Sequence, residues 1–145
     1  MRAVIQRVRE TKLSVDGRLI SEIPYGFAVY LAISIDDGEK NAELMAKKIG
    51  ALRIFEDSMG KMNLSIRDVG GEVLLISQFT LYGDCRHGNR PSFTQAARPE
   101  QAKPLYDLMI KLLEVQGIAV STGIFGADMK IQQYNDGPVT IIFDC

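Results

Sequence analysis

Residues Gly26-Phe27-Ala28-Val29-Tyr30-Leu31-Ala32-Ile33 form an unbroken apolar run of strand length, rich in β-branched and aromatic side chains. A strand with no polar alternation has no face to give to water, so this segment predicts a central strand covered on both sides. Asp36-Asp37-Gly38 ends it. Upstream, Ala3-Val4-Ile5-Gln6-Arg7-Val8 alternates as a half-buried strand does, and Leu13-Ser14-Val15 closes on an Asp16-Gly17 turn. The chain therefore begins in a sheet. With 145 residues, 46% of them hydrophobic, residues 1–145 have the size of one compact domain with a sizeable core.

Two segments carry helical periodicity. From Glu39 to Phe55, Ala42, Leu44, Met45, Ile49, Leu52 and Phe55 recur at helical intervals, with Lys47 and Lys48 on the other face. From about Pro99 to Gln116 the stripe is Leu105, Leu108, Met109, Leu112 and Leu113, with Gly117 placed to end it. Between them, Glu72 to Leu81 starts as a buried strand and becomes polar at Ser77-Gln78-Phe79-Thr80, next to a polar loop running from Tyr82 to Phe93. A rigid strand end beside an adaptable loop is a good place for a site. Three further strands are predicted near Ile118–Ser121, Met129–Tyr134 and Val139–Phe143, the last two separated by a Gly-Pro turn. There is no internal repeat, low-complexity tract or linker.

Seventeen Lys and Arg oppose eighteen Asp and Glu, so no global positive field drives broad binding to a nucleic-acid backbone. Any nucleic acid must be held locally. Arg86, His87, Arg90 and Arg98 form a cluster of donors that reads equally well as a solvated polar loop. Cys85 and Cys145 are too few for a disulfide framework, and reduced thiols are expected. The N-terminal segment lacks the apolar core of a signal peptide, and no run approaches the roughly 18–20 apolar residues of a membrane span. A soluble, cytoplasmic protein is expected.

The inventory of reactive groups is short. A Ser-His-Asp triad needs an imidazole beside its nucleophile, and the one histidine, His87, sits in a Gly-rich polar loop. No G-x-S-x-G elbow is present. Cys85 and His87 lack companions for a structural zinc, and Gly70-Gly71 is an isolated pair rather than a nucleotide loop. What remains is a site of backbone, hydroxyl and amide groups, suited to selecting and orienting a substrate. Hydrolysis of an activated ester fits, because positioning and oxyanion stabilisation supply much of its catalysis. In Asn135-Asp136-Gly137-Pro138-Val139-Thr140, Gly137 leaves a ligand free approach and Pro138 makes a cis bond accessible. By itself that dipeptide is most often an ordinary turn.

Taken with Ser77-Gln78-Phe79-Thr80-Leu81, this segment resembles the second of two signature motifs of the D-aminoacyl-tRNA deacylases. Gln6-Arg7-Val8, Arg53-Ile54-Phe55, Gly60-Lys61-Met62-Asn63-Leu64, Arg90-Pro91-Ser92-Phe93 and Phe125-Gly126-Ala127-Asp128-Met129 are also similar to the family's corresponding stretches, in order along the whole chain. His87 departs from it, standing where the family often has Lys or Arg before the glycine. Pattern and resemblance together set the expected architecture: one α/β domain with a mainly antiparallel or mixed, barrel-like sheet, flanked by two amphipathic helices.

The resemblance implies a homodimer with active sites at the subunit interface, acting on the 3′ acceptor end of aminoacyl-tRNA without metal or cofactor. Gly137 and Pro138 of one subunit would enter the other's pocket as a chirality gate. Their carbonyls, with the bond cis, would accept hydrogen bonds from the substrate amino group and exclude an L side chain. Arg7 would brace this motif, the alternative being an exposed strand residue in a salt bridge. Ser77, Gln78, Phe79 and Thr80 would form the opposite wall. Thr80 would orient the ester or donate to its oxyanion, with Gln78 and the amides near Phe79 and Thr80 as further oxyanion donors. Water would attack, assisted by the terminal ribose 2′-hydroxyl. Phe79 would contact the terminal adenine or pack under the pocket, and Met129 would line the adenine pocket, a core role being open for both. Removal of mischarged glycine is left open. Two other readings stand beside this one: a related deacylase with a trans Gly-Pro bond and a different chirality rule, and a non-catalytic dimeric module that binds a D-amino acid or an RNA 3′ end.

Overall fold

The computed structural model describes residues 1–145. Its order is β1 (Arg2–Val15), β2 (Arg18–Ile23), β3 (Gly26–Ala32), α1 (Glu39–Ala51), β4 (Arg53–Glu56), β5 (Met62–Ser65), β6 (Glu72–Ser77), a 3₁₀ turn (Phe79–Tyr82), α2 (Pro99–Val115), β7 (Ala119–Thr122) and β8 (Met129–Asp144). The long strand β1 organises the sheet. Along one edge it pairs antiparallel with β3 through residues 2–8 and with β2 through residues 11–15. Along the other it pairs antiparallel with β8 over nearly its whole length. β3, β6 and β7 continue the sheet in parallel. The Ser21 hydroxyl of β2 donates to the Thr122 carbonyl of β7 at 2.9 Å, so the mixed sheet curls into a nearly closed barrel. β4 and β5 form a separate hairpin.

The apolar run of β3 is covered on both faces because its alternate residues feed two cores. Phe27, Val29 and Leu31 join the large cluster with Met45 and Ile49 of α1 and Met109 and Leu113 of α2. Ala28 points the other way, into a smaller cluster with Val8, Leu13, Ile23, Leu74 and Ile76, against which Tyr30 packs. Burial raises the pKa of the Tyr106 hydroxyl, which stays protonated and donates to the Leu75 carbonyl at 2.7 Å, fastening α2 to the sheet. α2 stops where Gly117 donates its N–H to the Glu114 carbonyl, close to the expected end.

Three sequence expectations are corrected. α1 ends at Ala51, and Leu52 is already extended. Phe55 is buried as expected, but from strand β4, where its ring stacks on Phe27 with centroids 4.9 Å apart. Leu44 is half exposed. A strand can supply one buried aromatic at the same interval as a helical stripe, which is why periodicity alone overran the boundary. The segment ending at Leu81 leaves the sheet after Ser77, and Phe79 to Tyr82 wind into the 3₁₀ turn. Finally, the two strands expected around the Gly-Pro dipeptide are one, β8, whose halves both pair with β1. The dipeptide is therefore a bulge within a strand and reverses nothing.

Gly26 opens β3 with φ +143°, and a Cβ there would lie 1.9 Å from the Glu72 carbonyl oxygen of β6. Both backbone conformation and contact exclude a side chain. Gly26→Ala should destabilise the domain by about 3 kcal/mol or more, read from chemical or thermal unfolding. An unchanged midpoint would show that the start of the β3 and β6 pairing contributes little.

Candidate active site

A cleft of about 890 Å³ opens where β6 ends, between the 3₁₀ turn, the start of α2 and the entry to β8. Ser77, Gln78, Phe79 and Met129 line it. Thr80 is not among the lining residues, but its hydroxyl accepts a hydrogen bond from the Gln78 side-chain amide. The 3₁₀ turn matters chemically. Its first internal bond runs from the Leu81 N–H to the Gln78 carbonyl at 3.2 Å, and the Gln78 N–H is spent on the Leu31 carbonyl at 2.8 Å. The amides of Phe79 and Thr80, ahead of that first bond, have no acceptor within the turn. Neither makes another backbone hydrogen bond.

Phe79 is 54% exposed, its ring meeting Phe93 edge to face with centroids 5.1 Å apart. It is thus a surface aromatic at the cleft rather than core, because the 3₁₀ turn carries it off the sheet. Phe93 lies beside it in the lining, with Arg98 at the start of α2 and with Phe125 and Asp128 before β8. Arg98 belongs to the donor cluster read from the sequence; Phe93, Phe125 and Asp128 carried no individual role there, although they lie in stretches similar to the family's. Arg98 and Asp128 are the only charged lining residues, and Lys130 pairs with Asp128 at 2.8 Å.

The polar loop is pinched by pairing of Asp84 with Ser92, leaving an exposed finger that carries His87 and Arg90. His87 is outside the cleft lining. Arg86 turns back on Asp84 at 2.7 Å, and hydrogen bonds from Arg86 hold the Asp84 carboxyl at about 2. The four donors of the sequence cluster therefore have different situations: one paired, one at the cleft, two on the finger. No group of three or more His, Cys, Asp or Glu side chains converges to hold a metal ion, and no helix is long and apolar enough to cross a membrane.

The Gly-Pro segment is built by unequal pairing. Gln6 pairs with Thr140 and Val8 with Asn135, so four residues of β8 lie opposite one residue of β1. The excess is extruded as a bulge around Asp136-Gly137-Pro138-Val139. Gly137 has φ +123°, and a Cβ there would meet the Val139 Cγ2 at 2.8 Å, the Val139 nitrogen at 2.9 Å and the Arg7 Nη2 at 3.2 Å. The Gly137-Pro138 bond is cis.

Arg7, opposite the bulge, is buried rather than an exposed strand residue. Its Nη1 donates to the Ile54 carbonyl at 2.7 Å and its Nε to the Asp136 carbonyl at 3.2 Å. The Asp136 carboxylate lies 3.3 Å from that Nε and 3.3 Å from Nε of Arg9, itself at the compensating irregularity of β1. Glu56, mostly exposed at 3.8 Å, adds little. Gly137 and Pro138 are exposed, outside the cleft lining and eight or more residues along β8 from Met129. Within one chain, the structure brings together Ser77, Gln78, Phe79 and Met129, with Thr80 adjoining, but sets Arg7, Gly137 and Pro138 apart.

The chain is thus a barrel-like α/β domain with an apolar cleft that carries only two charged side chains. Comparison with known proteins narrows this. The family model described as D-Tyr-tRNA(Tyr) deacylase matches residues 4–144, and the chain belongs to that family. A D-aminoacyl-tRNA deacylase of Desulfotalea psychrophila is 54% identical over 144 residues, covering 99% of this chain and 97% of the relative. Another from Thermus aquaticus is also 54% identical, covering 99% and 95%. Among solved structures, one titled c-Myc DNA Unwinding Element Binding Protein superposes with a TM-score of 0.93 at 40% identity, covering 100% of this chain and 99% of its own. A probable eukaryotic D-amino acid tRNA deacylase shares the fold with a TM-score of 0.87 at 18% identity, covering 99% and 98%.

Arg7 ties three segments with one fork, which an ammonium group cannot do. Arg7→Lys should speed amide hydrogen exchange through residues 136–139 by about tenfold or more, leaving β3 and β6 protected. Unchanged exchange at the bulge would mean that main-chain pairing alone holds it.

Proposed function

We propose that the chain hydrolyses the ester of D-aminoacyl-tRNA to D-amino acid and tRNA, in a site completed by a second copy of itself. Family membership supports the reaction. The observation that carries the stereochemical reading is the Gly137-Pro138 bulge, a piece of bare main chain braced by the buried Arg7. Its separation from the cleft within one chain supports delivery by a partner subunit.

In this reading the terminal adenosine enters the cleft against Phe79 and Met129, while the ester carbonyl faces the Phe79 and Thr80 amides. Carbonyl groups of the partner's bulge accept hydrogen bonds from the substrate ammonium. With amino group and ester both fixed, only one enantiomer can direct its side chain away from the bulge, and the L side chain collides with main chain. Such a gate reads configuration and ignores side-chain identity. Glycine has no side chain to exclude, so glycyl-tRNA passes it.

Water attacks the carbonyl carbon, the bond to the ribose 3′ oxygen breaks, and the oxyanion formed between is held by the free amides with Gln78 and Thr80 beside them. One well-aimed oxyanion donor contributes about 3–4 kcal/mol, which makes main chain alone a substantial catalyst. The terminal ribose 2′-hydroxyl assists with proton transfer. In this reading Thr80 orients rather than attacks, which the lack of a nearby base supports: its hydroxyl accepts from the Gln78 amide and His87 lies outside the cleft. The chain works as a single domain in a cytoplasmic homodimer.

Purified protein should deacylate D-tyrosyl-tRNA and spare L-tyrosyl-tRNA under single-turnover conditions; equal rates would contradict the gate. Thr80→Ser should keep most activity and Thr80→Ala less, with no aminoacyl adduct by mass spectrometry, whereas a trapped adduct on Thr80 would establish covalent catalysis instead. His87→Ala should stay within about twofold of the parent rate, since general-base catalysis contributes about 10²–10⁴-fold where it operates.

A further inference from the structure

Arg7 grips the bulge from one face of β1. Its neighbour Gln6 points to the opposite face, as successive strand residues do. There the side chains form a directed chain of hydrogen bonds. The Tyr30 hydroxyl of β3 donates to the Gln133 carbonyl oxygen at 3.0 Å. The Gln133 amide nitrogen donates to Gln6 Oε1 at 2.7 Å and to the Asn135 side-chain oxygen. The Gln6 amide nitrogen then donates to the Thr140 hydroxyl at 3.3 Å. Asn135 and Thr140 are the residues at which β8 leaves its pairing with β1 and regains it.

We infer that Gln133 is a positioning residue for stereochemical selection: by joining Tyr30 to both ends of the Gly137-Pro138 bulge, it fixes where the two main-chain carbonyls point. This rests on the proposed gate. Three features make it more than a surface contact. Each Gln133 amide atom is used, both hydrogens as donors and the oxygen as acceptor, so the orientation of the group is determined by its partners. Tyr30 packs against the small barrel core and thus ties the bulge to the interior of the sheet, and burial raises its pKa so that it remains a donor. Finally, Arg7 holds only the Asp136 end, through its carbonyl and carboxylate, and neither Gln6 nor Gln133 touches the cleft. A gate fixed at one end only can swing. The chain of amides holds the other.

Discrimination by collision depends on sub-ångström placement, so loosening the bulge reduces selectivity. Gln133→Leu keeps the bulk and removes all three hydrogen bonds. The ratio of D- to L-tyrosyl-tRNA deacylation should fall about tenfold, with the unfolding midpoint close to that of the parent. Gln133→Glu should restore the ratio. Both neighbours are amides that can rotate so that Gln6 and Asn135 donate to the carboxylate while Tyr30 still does, with Thr140 then donating to Gln6. Tyr30→Phe, which removes one hydroxyl, should lower the ratio by about threefold and serves if Gln133→Leu does not fold. An unchanged ratio in Gln133→Leu, a proportional loss of D and L activity with a lowered midpoint, or a Gln133→Glu no better than leucine would overturn the inference. Gly137→Ala, run in parallel, separates the two levels. Parent rates and selectivity in Gly137→Ala remove the gate itself, whereas an impaired Gly137→Ala beside a fully selective Gln133→Leu removes only the role of Gln133.

Discussion

Pairing of β1 with β8 is the constraint on which the rest depends. Fourteen residues face sixteen along one ladder, and the mismatch cannot be spread evenly because register is discrete. Slipping either half of β8 by one residue would turn its inward side chains, such as Ile131 or Ile141, to the opposite face. Both halves are therefore fixed, and the surplus residues leave the ladder together, opposite Arg7. The pairing on each side fixes where that departure occurs.

In the proposed function the same constraint would let a site with few titratable groups select. A main-chain bulge has no side-chain rotamers, so once held at both ends its carbonyls would not adapt to the wrong enantiomer. At the cleft, likewise, the useful donors are the first amides of a short turn, fixed by the end of β6. Arg7 sits where these economies meet. Its guanidinium is buried, and two carbonyls together with the mostly buried Asp136 carboxylate, 3.3 Å from Nε, hold it in place. Such a cation tolerates little substitution, because removing its partners leaves a charge without solvation.

Much of this was legible in the sequence for physical reasons. The run from Gly26 to Ile33 reads as a central strand covered on both sides, and its two-cluster burial follows from alternation. The α2 stripe, with Gly117 beyond it, marked that helix to within a residue. The polar end of β6 located the cleft wall. Misread features share one cause: local patterns do not reveal long-range pairing. Leu52 to Phe55 continues a helical stripe until β5 claims it. Phe79, read as pocket wall with a core role left open, is settled between the two only by the 3₁₀ turn that carries it off the sheet. Gly137-Pro138 reads as a reversal because nothing nearby says that both flanks pair with the same distant strand. Gln133 was invisible for the same reason, its partners being Gln6, Tyr30 and Asn135 from three strands.

The claim that wall and gate come from different subunits is tested most directly by complementation. An inactive Thr80 variant and an inactive Gly137 variant, mixed and allowed to exchange subunits, form heterodimers with one doubly altered site and one intact site. Random exchange at equal mixing makes about half the dimers mixed, so D-tyrosyl-tRNA deacylation should return to roughly a quarter of the parent level in a two-fold symmetric assembly. Mixed dimers seen by native mass spectrometry with no return of activity would show that each site is built within one subunit.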